Sequence, residues 1–417
     1  MVCEMIIRTH HRLLYIFSVY LIVVMNINAQ QDSRLEELIQ NVLIKEGFEN
    51  TAVHCAADSI YVAYENRIYR YEIRAAEIAL RLVNSIVKKQ SVIILIPQKY
   101  SIPIIAVIAG KGGAGKEYSE EQSGELSFKD IEVICDPEEY WSKLRCRNIK
   151  NPSTFKLDIV ISPQINLRFG NYDDPVESQI NLAPAFTTSL WKGMSVFVQG
   201  IVPLQNDFGE EGNHVRPGII ALNQIIRLPV NTYFSAALGY FTQRRYGFDA
   251  GIKTLLSNGR FAIGANAGYT GFASYSDNTW YYTKMNRWTY FLDCGYRFAD
   301  YDLIVKAVYG KYLYEDTGWR FDLLRQFGEV NIGFFILKTT GGTNGGFNFT
   351  IPLFPSKYFY PSIFRISPSS YFKWEYKYRG LPVYGIRYST GNEIDTFIDM
   401  FNPDYIKNRL LRQFKSY

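Results

Sequence analysis

Between Phe155 and Arg379 the chain repeats one pattern: segments of about ten residues in which apolar and polar side chains alternate, separated by turns. The clearest runs from Phe261 to Thr270, with Phe261, Ile263, Ala265, Ala267 and Tyr269 on one face and Ala262, Gly264, Asn266 and Gly268 on the other. A strand sends successive side chains to opposite faces, so each such segment is greasy on one side only. Strands of soluble sandwiches are commonly about five or six residues long. A strand crossing a bilayer at a tilt needs about 9–11. The pattern therefore predicts a mainly β protein built on a single transmembrane antiparallel β-barrel over residues 155–379.

About twelve strands are expected: Phe155–Ile165, Ser178–Leu190, Met194–Val202, Gly218–Leu228, Thr232–Phe241, Tyr246–Leu255, Phe261–Phe272, Arg287–Phe298, Leu303–Leu313, Gly318–Gln326, Val330–Lys338 and Gly346–Leu353. Asn258-Gly259 marks a tight hairpin between two of them. Phe372–Tyr378 alternates again, and Val383–Tyr388 is a candidate partner for it. Single-chain bacterial barrels favour even counts, so twelve is the expectation and fourteen the alternative. Aromatic residues make up 16% of the sequence, with 32 Tyr and 28 Phe, which suits the aromatic girdles of such barrels. After residue 30 no apolar run approaches the roughly 20 residues of a spanning helix. A net charge of +5 with no clustered basic face gives no reason to expect nucleic acid as a partner.

The polar face of these strands carries Lys156, Asp158, Asp249, Lys253, Asn266, Asp293, Arg297, Lys306, Arg320 and Asp322, with Gly264 and Gly268 as small neighbours. These are the candidate lumen-lining residues. Charges of both signs either line a wet passage or pair to stopper a narrow one. The small row at Ala262, Gly264, Asn266 and Gly268 leaves open space or lies against an insert.

Residues 1–29 have the layout of a secretory signal: Arg8 and Arg12, a 13-residue apolar run from Leu13 to Met25, and Ala29 before Gln30. An uncleaved anchor is the alternative. Residues 30–150 read as a small α/β (α+β) domain, placed in the periplasm if the chain is exported. Ser33-Arg34-Leu35-Glu36 has the form of a capping box ahead of a helix that Gly47 stops. Strands at Thr51–Cys55 and Ser59–Tyr64, a helix at Glu72–Val87, and further strands at Ser91–Ile96, Ile102–Ile108 and Leu126–Val133 follow. Asp136-Pro137 opens a short helix. Cys135 and Cys146 flank that helix, and an oxidising compartment would permit a bridge between them. The four scattered cysteines beyond the signal, Cys55, Cys135, Cys146 and Cys294, lack CxxC spacing and give no zinc site, and no cofactor is expected.

Ala109-Gly110-Lys111-Gly112-Gly113-Ala114-Gly115-Lys116 resembles a phosphate-cradling loop. Glu117 stands where that loop needs Ser or Thr, and an acidic stretch follows in place of an amphipathic helix. A glycine-rich hairpin loop is the plainer reading. His54 and His214 are the only histidines beyond the signal, and His214 sits among Glu210, Glu211 and Asn213 in a polar loop. Acidic loop residues beside a histidine are more often solvated than catalytic, so a non-enzymatic protein is expected. Residues 380–417 leave the strand pattern. Asn402-Pro403 starts a helix carrying Tyr405, Ile406, Leu410, Leu411 and Phe414, expected to be periplasmic and to pack on the small domain or near the barrel mouth.

Leu38–Phe48, the run Tyr-Val-Ala-Tyr-Glu-Asn-Arg-Ile-Tyr-Arg from Tyr61 to Arg70, Phe349-Thr350-Ile351-Pro352-Leu353-Phe354-Pro355 and Pro368-Ser369-Ser370-Tyr371-Phe372 together resemble the YjbH/GfcD-like exopolysaccharide proteins, in their Bacteroidetes form. The resemblance implies an outer-membrane barrel of a Gram-negative cell that assists export or assembly of exopolysaccharide or capsule. Its implied partners are outer-membrane lipid, the glycan and periplasmic export proteins. Some members have two barrels; this chain has room for one. The family supplies no catalytic residues. A general porin or solute channel is the alternative, and an outer-membrane hydrolase a more distant one.

Overall fold

The computed structural model describes residues 32–56, 58–87, 92–110, 130–169, 175–276, 279–359, 364–378, 384–391 and 394–415. The signal segment and most of the glycine-rich loop, residues 111–116, lie outside the described residues. The amino-terminal part begins with α1 (32–46), which Gly47 ends with a left-handed φ of 105°. Then come β1 (Glu49–Cys55), β2 (Ser59–Glu65), α2 (Glu72–Ile86), β3 (Val92–Lys99), β4 (Ile102–Pro103), β5 (Ala106–Gly110), β6 (Asp130–Ile134) and α3 (Glu138–Trp141). They build a six-stranded sheet ordered β1-β2-β3-β5-β6, with β4 on β3. β2 and β3 are parallel and joined through α2, the one crossover that a helix makes easy here. The two segments expected as single strands at 91–96 and 102–108 differ in outcome: the first extends to Lys99, while the second breaks at Ile104-Ile105 into β4 and β5.

The second sheet has fifteen strands. These are β7 (Leu157–Phe169), β8 (Val176–Ser189), β9 (Met194–Asn206), β10 (Arg216–Leu228), β11 (Thr232–Phe241), β12 (Arg245–Leu256), β13 (Phe261–Ser276), β14 (Thr279–Tyr282), β15 (Arg287–Phe298), β16 (Leu303–Lys311), β17 (Thr317–Phe327), β18 (Val330–Thr339), β19 (Gly342–Pro352), β20 (Phe364–Pro368) and β21 (Tyr371–Lys377). Each of the twelve alternating segments became a strand, and the stretch after Phe272 became an extension of β13 that pairs with β14. From β7 to β19 every neighbour is the next long strand in the chain and every pairing is antiparallel. Such a meander follows from tight turns. Ser257, Asn258 and Gly259 all have positive φ, which the Asn-Gly pair tolerates at little cost.

The ends of the sheet depart from that rule. β20 pairs in parallel with β7, from Phe364 opposite Leu157 to Pro368 opposite Ile161, and β21 pairs antiparallel with β19. Only Ser369 and Ser370 separate β20 from β21. The Ser369 amide donates to Ile161 O (2.9 Å), and the Leu353 amide donates to Ser370 O (3.0 Å). One run of chain thus serves both ends of the sheet. No alternation marked Phe364–Pro368 as a strand. Residues 384–388, the expected partner of Phe372–Tyr378, form no strand.

The meander has a small-sheet end and a far end. At the small-sheet end, the Gly193 amide donates to Tyr100 O (2.8 Å), Arg227 holds Asp136 (2.8 Å) and Arg70 holds Glu329 (2.6 Å). Asn258, in the β12–β13 turn, accepts from the Cys135 amide (2.8 Å) and donates to Val133 O (3.0 Å), so the hairpin residue also docks the small sheet. The deepest tie is Arg67. It bridges Glu49 (3.2 Å), Ser153 O (3.1 Å) and Asp158, all buried. Cys135 is buried and Cys146 exposed, and both are free thiols, so the bridge that spacing allowed is not formed.

After β21 the chain continues through residues 384–391 to α4 (Ile394–Met400) and α5 (Pro403–Lys415). Asn402 caps α5, its Oδ1 accepting from the Tyr405 amide (3.2 Å), with Pro403 in the first turn. Tyr405, Ile406, Leu410 and Phe414 are buried in the same core as α1, α2 and the small sheet. The helix expected to pack on the small domain does so.

Arg67→Ala leaves Glu49 and Asp158 buried with fewer cations. Removing one partner of a buried ion group costs on the order of 3 kcal/mol. The expected result is a lower urea midpoint for the refolded protein, only partly restored in Arg67→Lys, which lacks the planar fork.

Candidate functional site

The two faces of the large sheet differ sharply. One carries large apolar side chains that are open to the outside, such as Phe248 at 53%, Leu292 at 60% and Ile336 at 63% exposure. Trp288 stacks on Tyr269 and Trp319 on Phe321 along this face, and Cys294 is also exposed there. The other face carries the charges, and the carboxyl-terminal segment lies along it.

That segment enters at the far end. Tyr384 donates to Thr343 O (3.1 Å), and the Leu313 amide donates to Ile386 O (3.1 Å). The Thr242 amide donates to Ser389 O (3.1 Å), and the Ser389 amide donates to Thr242 Oγ1 (2.7 Å). Arg387 lies over the Phe291 ring at 3.9 Å. Tyr388 stacks on Phe241 at 5.4 Å and donates to Asp249 Oδ2 (2.8 Å). Asp249 also accepts from Asn266 (2.8 Å).

α4 then brings Asp395 and Asp399 onto one side, as residues four apart on a helix must be. Asp395 meets Lys253 and Lys306, and Asp399 meets Lys306 (3.3 Å). Lys253 also holds Asp293 (2.6 Å). That bond crosses the intervening strand β13 at Gly264, where a Cβ would collide with the Asp293 carboxylate. A Cβ on Gly268 would overlap the Tyr388 hydroxyl. The small row therefore lies against an insert, and its two glycines make room for a lysine–carboxylate bridge and a tyrosine.

The candidate lumen-lining residues fall into three places. Asp249, Lys253, Gly264, Asn266, Gly268, Asp293 and Lys306 come together under residues 388–399. Arg320 pairs with Asp322 (2.8 Å) and Glu375 (2.8 Å) nearby, stacked over Phe335, and Arg297 donates to Gln326 (2.5 Å) beneath the Tyr405 ring. Lys156 and Asp158 do not join them. Lys156 bonds Glu49 (3.1 Å) and Asn151 (2.6 Å), while Asp158 meets Arg67 and Arg365 (2.9 Å). They stand at the first turn of β7, where a buried acid of the small sheet draws cations. Sequence reading missed Arg387, Tyr388, Asp395 and Asp399. The one signal for the two aspartates is their Asp-x-x-x-Asp spacing, which puts both on one side of a helix and so able to meet Lys253 and Lys306.

The segment divides the space over the charged face. On one side is a cavity of about 340 Å³ bordered by Asn223, Ser235, Asp249, Lys253, Tyr388 and Asp395. On the other is a cavity of about 400 Å³ between the start of α2, the strands β17–β19 and β21, and the α4–α5 corner. Glu72 borders the second, and burial first of all pushes its carboxyl up to about 7, against the pull of Lys99 and an Asn66 hydrogen bond. Among the described residues no His, Cys, Asp or Glu cluster has the geometry to hold a metal ion. His214 is exposed in the far-end turn after β9, and His54 faces Glu36 (3.1 Å) on the small unit; neither borders either of these two cavities. Burial raises the Cys135 thiol to about 11, so it stays protonated and unreactive.

These features define a class: an up-and-down antiparallel sheet with a greasy exposed face, a charged opposite face and a carboxyl-terminal strap laid along the charges. Residues 23–354 match the family model described as "Exopolysaccharide biosynthesis protein YbjH", and the chain belongs to this YjbH family of exopolysaccharide biosynthesis proteins. The strap lies beyond the matched residues. No curated protein matches the chain.

Two outcomes test the site. With Asp395 and Asp399 both changed to Ala, Lys306 loses both carboxylates of the strap. Amide exchange across residues 384–400 is expected to quicken about tenfold or more, a loss of about 1.4 kcal/mol in local opening free energy, with the β12–β17 ladders unchanged. Glu72 sets a pH dependence. Between its ordinary value of 4.5 and about 7 the folded protein keeps a proton that the unfolded chain has released. Stability therefore falls as pH rises through that window, by at most about 1.4 kcal/mol per pH unit, and is flat above it. Urea midpoints at pH 5, 6, 7 and 8 are expected to follow this slope in the wild type and to lose it in Glu72→Gln.

Proposed function

We propose that the large sheet closes as a single transmembrane β-barrel of the outer membrane. In this reading its small-sheet unit and α5 lie in the periplasm, and the protein assists export or assembly of exopolysaccharide without catalysing a reaction itself. The observation that carries the reading is the exposed apolar face on strands that mostly run nine to sixteen residues. Exposed apolar surface costs about 25 cal/mol per Å² in water, and a patch continuous over a dozen strands calls for lipid. Strands of this length match the bilayer. The continuity of β20 with β21 supports closure, since one run of chain bonds both β7 and β19. Closure also removes the open edges that lipid cannot satisfy. The absence of a long apolar helix among the described residues bears on helical spans only. Family membership supports the exopolysaccharide assignment.

The strap bears on how such a barrel would work. A general porin needs an open lumen, whereas here Tyr388, Asp395 and Asp399 occupy the charged face. The charged residues then serve mainly to hold the strap, and passage would use the two flanking spaces or require the strap to shift.

The expected result of cell fractionation is recovery in the outer membrane, with gel mobility that changes on heating, and loss of surface polysaccharide on deletion of the gene. A protein recovered in the aqueous phase with heat-independent mobility defeats the barrel reading. Normal surface polysaccharide in the deletion strain defeats the export role. Large unitary conductance with small-solute passage in planar bilayers would favour the porin.

A further inference from the structure

We infer that the cavity between α2, β17–β19, β21 and the α4–α5 corner is a binding site for a short segment of a neutral saccharide. The inference rests on the exopolysaccharide reading above and adds to it a place and a charge preference. The cavity, at about 400 Å³, falls within the range of about 300–1,000 Å³ of small-molecule sites. Like most such sites it has mainly apolar walls with a few polar groups set among them. Asn331, Asn348, Thr350 and Gln326 bring amides and a hydroxyl, and tyrosines from three separate elements meet there. Tyr71 and Tyr405 join hydroxyl to hydroxyl at 3.0 Å, and Tyr371 rises from β21 beside them. Tyrosine offers an apolar ring face and a polar tip at small entropy cost. A ligand with hydroxyls round its rim and C–H groups on its faces uses both, and a saccharide is the ligand of that description.

The charge pattern selects among saccharides. Four carboxylates, Glu72, Glu329, Glu375 and Asp399, and one ammonium, Lys373, border the cavity, so acids outnumber bases in its walls. Arg70 holds Glu329 (2.6 Å), Arg320 holds Glu375 (2.8 Å) and Lys306 holds Asp399 (3.3 Å). Each of these three has a cationic partner, and a carboxylate, with about four lone-pair sites, keeps the capacity to accept a further hydrogen bond. An anionic sugar meets carboxylates here and is disfavoured; a neutral one meets hydrogen-bond acceptors. The cavity also lies where the sheet, the small unit and the foot of the strap meet, so an occupant touches all three.

The test uses the mature full-length protein in detergent micelles, with maltotriose and triacetylchitotriose as neutral probes and a hyaluronan hexasaccharide as the acidic one, followed by calorimetry. Saturable binding of at least one neutral trisaccharide is expected, without binding of hyaluronan. Tyr371→Ala and the space-filling Thr350→Phe are each expected to weaken it at least tenfold while heat-dependent gel mobility is kept. If neither neutral probe binds, if hyaluronan binds as well as they do, or if both variants bind as the wild type does, the site is wrong. Fractionation separates this from the broader reading. A protein in the outer membrane that binds no probe loses only the cavity assignment. A protein that binds a probe but stays in the aqueous phase loses only the barrel.

Discussion

An odd number of passes along the large sheet governs much of this structure. Twelve long strands run back and forth from β7 to β19, and β20–β21 adds one more. A chain that starts at the small-sheet end and makes an odd number of passes finishes at the far end. Yet α5 belongs to the core of the small unit, with Leu410 fully buried among α1, α2 and the small sheet. The chain must return. The exposed face is apolar, and a return over it would strand backbone amides against grease. The charged face offers partners, and the strap runs there.

That return explains the arrangement of polar residues better than a passage alone does. The strap's backbone bonds to Thr242 and Leu313 at the far end, its Tyr388 sits in the gap left by Gly268, and its two aspartates meet two lysines of the wall. Lys253, Lys306, Asp293, Asp395 and Asp399 pair with one another, and such pairing is what keeps ionisable groups tolerable in a restricted space. The glycines of β13 are as much a part of this as the charges. A side chain at residue 264 would break the bridge from Lys253 to Asp293, and one at 268 would expel the tyrosine. The same geometry leaves a cavity on either side of the strap, and these set where a ligand has room.

Much of the fold was legible before any coordinates. β11 and β15 have the boundaries that alternation assigned them, because a period of two with turns at both ends admits no other element. In the small unit α2 was legible from its apolar stripe at helical spacing and β3 from its continuous apolar run. β20 was not. Its five residues, Phe-Arg-Ile-Ser-Pro, alternate too briefly to stand out, and what makes them a strand is β7, some two hundred residues earlier. The misplacement of Lys156 and Asp158 has a similar cause. Their alternation matches the barrel pattern, but Arg67 and Glu49, distant in sequence, decide which structure they serve.

The sequence by itself determined the local terms: which residues alternate, where turns interrupt them, which face is apolar and which charged, and where α5 is capped. These depend on neighbours within a few positions, and the physics of a single strand or helix fixes them. Only the tertiary structure decided the long-range terms. That Gly268 faces a strap and not empty space, that Asp395 and Asp399 answer Lys253 and Lys306, and that one run of chain serves both edges of the sheet all depend on contacts across nearly ninety residues of chain or more. No periodicity encodes such contacts, because they arise from the number of passes and from where the last helix must end.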